Sequence, residues 1–321
     1  MDYPLSKNEV LIKVEMCGIC KSDVDAFTGK KRTFLDDVVF GHEFIGHVTE
    51  HGSEVNPSIM GKRVVVNPLV NCSSCKACVA GTENLCERFS VVGFGKNGGI
   101  AEFSVQRTDC VHIIDEKISA QRAVLIEPIA VAINAAESWM SASKSRLVLV
   151  GGGTIGYLIC KYLKYKQINR ETTVISRNKK WRELFRNIGI EAIEDFNFFD
   201  GKFDSAIECT GDEGILSRIL KQIDRGGHIT LVGIPEKGRL IKYRKIQDKS
   251  LTISGVQMYN RKQFEIAVTL VSNGFDASEI FSSFYPISES HQAFKKLIYN
   301  KSEETKIALY APGNERVGMN Q

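Results

Sequence analysis

Several things are missing from this chain of 321 residues, and each absence removes a class of protein. There is no unbroken apolar run of the length, about 18 residues, that a bilayer-spanning helix needs. No basic start leads into an apolar core and a small-residue cleavage site, so nothing marks the chain for export, and a cytoplasmic protein with no membrane partner is expected. A strong charge of one sign is also lacking. Lys plus Arg number 42 against 38 for Asp plus Glu, and the formal +4 is too small an excess to argue for nucleic acid or an anionic surface. Internal repeats and low-complexity segments are absent. What remains, 43% hydrophobic and 25% charged residues, is a globular composition long enough for two domains.

Cysteine, by contrast, is present nine times. Five of the nine stand at metal-ligand spacings, which suits reduced thiolates better than disulfides. Cys17, Cys110, Cys160 and Cys209 are assigned to packing.

The organising stretch is Cys17-Gly18-Ile19-Cys20-Lys21-Ser22-Asp23, taken with Gly41-His42-Glu43 and Glu127-Pro128. A thiolate, an imidazole and a carboxylate bind zinc well, and a catalytic zinc keeps one position open for water or substrate. Cys20, His42 and Glu43 can supply three ligands. Glu127 is either a fourth ligand displaced by substrate or a hydrogen-bond partner of the water. Asp23 can fix the tautomer of the ligating histidine, and Ser22 can pass a proton. Further on, Cys72, Cys75, Cys78 and Cys86 make a C-x2-C-x2-C-x7-C lobe. Four thiolates describe a closed structural zinc site; an iron-sulfur cluster or a thiol redox pair are the rivals.

Alternation over Val10 to Met16 predicts a strand whose metal loop leaves a sheet edge. Val38 to Phe40 with Phe44 to Val48, and Arg63 to Asn67, predict further strands of a β-rich half. Helix is expected from Ser119. Leu147-Val148-Leu149-Val150 reads as a strand buried on both faces, followed at once by Gly151-Gly152-Gly153-Thr154-Ile155-Gly156 and an amphipathic helix. In that context the glycine loop, Gly151, Gly153, Thr154, Ile155 and Gly156, predicts a dinucleotide pyrophosphate at a helix N-terminus. Strands at Thr173 to Ser176, Asp204 to Glu208, Ile229 to Gly233 and Leu251 to Ser254 alternate with helices at Lys180 to Ile188, Gly214 to Ile223 and Lys262 to Ser272. This is the pattern of an α/β, doubly wound parallel sheet. The polar end, Pro312 to Gln321, is expected to fray.

About 20 positions after the glycines, where an acidic residue would bind an NAD ribose, stand Ser176 and Arg177. A hydroxyl and a guanidinium suit a 2'-phosphate, with Lys179, Lys180 and Arg182 adding charge. NADP is therefore preferred and NAD remains possible.

With these motifs in order, the chain resembles the zinc-containing medium-chain dehydrogenase/reductase superfamily, to which Cys209-Thr210-Gly211 and Gly226 to Gly233 also conform. The resemblance implies a Rossmann cofactor domain over 127–255 and a GroES-like, zinc-binding catalytic domain formed by 1–126 with 256–321. It implies one catalytic and one structural zinc, cofactor contacts at Thr210 and Gly233, and a homodimer or homotetramer. Glu127-Pro128, where typical alcohol dehydrogenases have a cysteine, points to the polyol, threonine and aminocyclitol branches. Asp25 stands where relatives commonly have a relay histidine, so the proton path runs through Ser22 and Asp25 or from Ser22 directly. Less chain also precedes the metal cysteine than in relatives. The expected reaction is hydride transfer between NADP(H) and a secondary alcohol or ketone, with a polyol, sugar or aminocyclitol favoured. A threonine-like or simple alcohol is the runner-up. A non-catalytic zinc- and NADPH-binding protein and a nucleic-acid-binding zinc module are the other readings. The first is opposed by the intact metal triad and the second by the lack of interleaved aromatics.

Overall fold

The computed structural model describes residues 5–30, 33, 37–142, 145–235, 243–300 and 303–314. In chain order come β1 (Glu9–Gly18), α1 (Lys21–Phe27), β2 (Glu43–His51), β3 (Arg63–Val66), β4 (Leu69–Val70), α2 (Lys76–Val79), β5 (Ser90–Val91), β6 (Phe103–Arg107), β7 (Val111–Ile113), α3 (Ala120–Ala123) and α4 (Ile126–Met140). Then follow β8 (Arg146–Val150), α5 (Thr154–Tyr165), β9 (Glu171–Ile175), α6 (Lys179–Asn187), β10 (Glu191–Ile193), β11 (Phe203–Glu208), α7 (Glu213–Gln222), β12 (Ile223–Leu231), α8 (Arg244–Asp248) and β13 (Thr252–Gly255). The last elements are α9 (Arg261–Ser272), β14 (Phe281–Pro286), α10 (Ser290–Tyr299) and β15 (Lys306–Tyr310). Two compact units result, Met1–Pro128 with Asn260–Gln321, and Ile129–Tyr259. Most of the expected fraying end, 315–321, lies outside the described residues.

The first unit is the GroES-like half, built on a seven-stranded sheet ordered β14-β15-β1-β2-β3-β7, with β6 also paired to β1. Alternation places Val10, Ile12 and Val14 of β1 in a core shared with Phe44, Val48, Val64 and Val66, each worth about 1.5–3 kcal/mol of burial. A second cluster gathers Ile19, Val24, Phe294, Ile307 and Leu309. Two expectations are corrected here. The metal loop leaves an interior strand, since β1 pairs with β15, β2 and β6. Residues 38–40 form no strand. There, Val39 donates its amide to the Asn97 side chain and accepts at its carbonyl from Gly98 N–H, a loop pairing rather than a ladder.

In the second unit all six strands run parallel in the order β10-β9-β8-β11-β12-β13. The direction of winding reverses between β8 and β11, the switch point at which such sheets bind ligands outside the carboxyl ends of their strands. Leu147, Val148 and Leu149 are fully buried, as an apolar strand covered on both faces requires. Most boundaries differ from expectation by a residue or two, and β12 starts six residues earlier than expected. Helix α7 ends at Gln222 because Ile223 already starts β12, and β12 stops at Leu231, leaving Gly233 in the loop beyond it. Ala120–Met140 is apolar and long enough by composition to cross a membrane, but 72% of its most apolar window is buried inside the protein, as in a core helix.

Candidate metal centres and nucleotide loop

Strand β1 delivers Cys20 just past its end, and the chain turns into α1 under a cap that serves the site as well. Asp23 Oδ2 accepts the Cys20 amide at 2.9 Å, the reciprocal half of a capping box. Its other oxygen accepts Gly41 N–H at 3.4 Å and lies 3.3 Å from His42 Nδ1. That last approach is close but too poorly aligned to satisfy Nδ1 as a full hydrogen bond. One fully buried carboxylate thus ties the loop carrying Cys20 to the loop carrying His42. Burial alone would raise Asp23. The charge of the nearby His42 ring and the Cys20 amide outweigh it and hold the carboxyl below its ordinary range. Burial likewise would lower His42, yet Asp23 and Cys20 beside it hold it well above the ordinary imidazole value.

Gly41 is required ahead of His42. Its φ of +95° is left-handed, and a Cβ there would stand 2.6 Å from Cys17 Sγ and 2.7 Å from an Ile100 carbon. With Asp23 next to Nδ1, the other ring nitrogen is free to act as a ligand. Cys20 Sγ, a His42 ring nitrogen and a Glu43 carboxylate oxygen all lie within 4.8 Å of one another. A soft, a borderline and a hard donor at that separation fit a divalent cation such as zinc.

The remaining expected site residues fall as follows. Glu127, buried in the first turn of α4, stands outside this set of three. Ser22 is in the first turn of α1. The Asp25 carboxylate accepts from Lys21 Nζ at 3.0 Å. Sequence reading missed Lys306, whose buried Nζ donates to Glu43 Oε2 at 2.5 Å and to the Ile19 carbonyl at 3.1 Å. Burial would lower that ammonium, but the Glu43 and Cys20 charges hold it above its ordinary value. A lysine opening an apolar strand far along the chain carries no local signal of such a role.

Cys72, Cys75, Cys78 and Cys86 form the second cluster, their sulfurs within 4.8 Å of one another. Backbone N–H groups of Cys75, Cys72 and Arg88 point at sulfurs 3.4 Å away. Backbone hydrogen bonds from Ser74 and Cys75 draw the Cys72 thiol down to about 5, while burial and the neighbouring sulfurs push Cys78 up to about 12. Four thiolates so close can all ionise only around a cation, which fits a closed zinc site. The packing assignment of the other thiols agrees with their surroundings: burial pushes Cys110 and Cys160 up to about 12 and raises Cys17 and Cys209 as well.

In the second unit, Gly151 to Gly156 joins β8 to α5. A Cβ on Gly156 would meet the Gly151 carbonyl at 2.5 Å, whereas one on Gly153 would meet no atom of the described residues within 4 Å. None of the described residues calls for glycine at 153, whereas close approach of a pyrophosphate does. Thr154 and Ile155 open the helix behind it. Ser176 Oγ donates to the Gly152 carbonyl at 3.3 Å, Arg177 is exposed next to it, and Lys180 is exposed on α6. Arg182, by contrast, is committed to the Ser176 and Arg177 carbonyls and to Glu194. At the end of β11, the buried Glu208 carboxylate, also missed from sequence, accepts from the amides of Thr210 and Gly211 and from the Thr210 hydroxyl. The turn it holds leaves room for nothing larger than glycine at Gly233, where a Cβ would lie 2.1 Å from the Gly211 nitrogen and 2.8 Å from Glu208 Oε2.

Residues 6–116 match the alcohol dehydrogenase GroES-like domain family and residues 154–273 the zinc-binding dehydrogenase family. The chain is 31% identical over 307 residues to the L-threonine 3-dehydrogenase of Cutibacterium acnes, covering 89% of this chain and 87% of that one. The Legionella pneumophila (strain Corby) protein of the same name is 26% identical over 313 residues, covering 92% and 91%. Among solved structures, a short chain alcohol dehydrogenase from E. coli complexed with NADH superposes with a TM-score of 0.87 at 25% identity, covering 96% of this chain and 94% of that one. The chain belongs to the zinc-containing medium-chain dehydrogenase/reductase superfamily. More particularly, it is an NAD(P)-linked oxidoreductase of the zinc alcohol dehydrogenase type, acting on an alcohol or ketone.

Proposed function

We propose that the protein oxidises the secondary alcohol of a small, threonine-like substrate, reversibly, with NADP(H). The carrying observation is the convergence of Cys20, His42 and Glu43 within 4.8 Å around the Asp23 tether. The polyol, sugar or aminocyclitol favoured by sequence is less well supported than its runner-up, since relatives at 26% and 31% identity are L-threonine 3-dehydrogenases.

Cys20, His42 and Glu43 would hold the catalytic zinc, which supplies Lewis acidity to the substrate oxygen. Asp23 orients His42. Ser22, in the turn beside Cys20, takes the alcohol proton and passes it to solvent; Asp25, engaged by Lys21, is the lesser candidate for that relay. Glu127 acts from outside the ligand set. Gly151, Gly153 and the α5 N-terminus hold the cofactor phosphates, and the Glu208-bound turn at Thr210 and Gly211 shapes the crevice beside them. The four-cysteine lobe holds the structural zinc. Ser176, Arg177 and Lys180 present a hydroxyl and two cations, with no acid at 176 or 177, to the adenosine ribose, which favours a 2'-phosphate.

The test is turnover of L-threonine, other 3-hydroxy amino acids, butanediols and polyols with NADP and NAD. Activity highest on the hydroxy amino acids is expected; preference for a polyol would restore the other reading, and no turnover by protein carrying two zinc ions per chain would remove both. Ser176→Asp is expected to move the kcat/KM ratio at least tenfold towards NAD; an unmoved ratio would refute the NADP assignment.

A further inference from the structure

Lys306 is a buried cation beside the metal triad to which the proposed chemistry gives no task. It opens β15, beside β1, two residues before the Ala308 that pairs with Gly18, which brings it to the level of Cys20 at the end of β1. Its Nζ is fixed by two acceptors, the Ile19 carbonyl at 3.1 Å and Glu43 Oε2 at 2.5 Å. The side chains of Lys306 and Glu43 are 3% and 2% exposed, so water screens the pair very little. Gly18 makes the contact possible: a Cβ there would stand 2.4 Å from Glu43 Oε2 and 3.4 Å from Lys306 Cε. A cation from one end of the chain is therefore clamped to a carboxylate of the metal triad and to the backbone one residue ahead of Cys20.

An ordinary structural ion pair would not need to share a metal ligand. A carboxylate has two oxygens and about four lone-pair sites, so Lys306 can hold Oε2 and still leave Oε1 for an ion. We propose that Lys306 is a positioning residue that withdraws part of the Glu43 charge from the metal centre, keeping the bound ion electrophilic at some cost in metal affinity. The inference rests on the catalytic-metal reading above.

Two consequences follow from charge alone. Before the ion binds, Lys306 spares Glu43 from standing as an unpaired buried anion, a strongly destabilising condition, so the triad is formed in advance. Once the ion binds, removing the ammonium makes its surroundings one unit more negative. A more electron-rich ligand set holds a divalent cation more tightly and leaves it a weaker Lewis acid.

The experiment uses full-length protein reconstituted with cobalt(II). The visible cobalt-thiolate absorption that is lost in Cys20→Ser reports this site separately from the four-cysteine lobe. Lys306→Met is expected to shift that absorption and to hold the Cys20-dependent cobalt roughly 10–100-fold more tightly against dipicolinate, with kcat reduced more than KM. Lys306→Arg should keep the wild-type spectrum. A lysine that merely stabilises the sheet would change Tm while leaving the spectrum and the chelator midpoint at wild-type values, and that result overturns the inference. If Lys306→Met does not fold, Lys306→Gln, which keeps a hydrogen-bond donor and removes only the charge, is held to the same two outcomes. Wild-type protein that takes up no Cys20-dependent cobalt overturns both this inference and the metal reading beneath it.

Discussion

The two candidate metal centres of this chain are built in opposite ways. Cys72, Cys75, Cys78 and Cys86 come from one short stretch, and their sulfurs gather through turns, a four-residue helix and backbone N–H groups belonging to the same stretch. Cys20, His42 and Glu43 come from the end of β1 and the start of β2, are tied by a buried aspartate on α1 and are braced by a lysine from the last strand. The first cluster has only sulfur to offer and closes on itself. The second mixes three donor types and shares its carboxylate with a cation, as suits a site that must exchange a ligand. A locally built centre depends on its ion to exist, whereas a centre assembled by the fold is shaped before the ion arrives.

That contrast can be broken in four places. The largest effect belongs to the lobe. Removing its metal, or replacing Cys75 with serine, forfeits binding energy on the order of 10–16 kcal/mol that is also local folding energy. Segment 71–89 should become protease-sensitive and one zinc equivalent should be lost by metal analysis, while the Rossmann unit still binds NADPH. Next, Cys20→Ser should leave the fold and the lobe zinc in place but lower kcat/KM by about a thousandfold, as loss of several kcal/mol of Lewis-acid stabilisation requires; activity within tenfold of wild type would contradict the role of the triad.

Gly41→Ala comes third. It combines a strained left-handed backbone, costing about 1–3 kcal/mol, with a Cβ pressed against Cys17 and Ile100. A Tm several degrees lower and partial loss of the catalytic-site metal are expected together, measured by thermal unfolding and metal analysis; a lower Tm with full occupancy would detach Gly41 from the site. The smallest effect is that of Asp23→Asn, which keeps the shape of the tether and removes its charge. Metal affinity at the Cys20 site should fall about 10–100-fold in chelator competition, with the lobe unaffected.

Legibility followed the same division. Buried strands such as β8, with an uninterrupted apolar run, and the loop behind it were readable because their cause is local: a strand covered on both faces has no polar residues to spare. The stretch at 38–40 misled because three apolar residues satisfy a strand pattern, while their backbone groups are in fact used by the loop at Asn97 and Gly98. Lys306 was invisible because a lysine at the start of an apolar strand ordinarily points to solvent, and only pairing with an interior strand turns it inward. Glu208 was hidden for a similar reason. Its partners are the amides of the turn that follows it, and only the crowding at Gly233 shows how little space it leaves.

By itself the sequence determined the donor types, the sulfur lobe, the glycine loop and the alternation of strand and helix, since each depends on residues near one another along the chain. Only the tertiary structure decided that β1 is interior, that Asp23 bridges the Cys20 and His42 loops, and that Glu43 meets Lys306. Those contacts join segments far apart in the chain, and burial multiplies the strength of their charges through the loss of screening water, a quantity that no linear pattern of residues encodes.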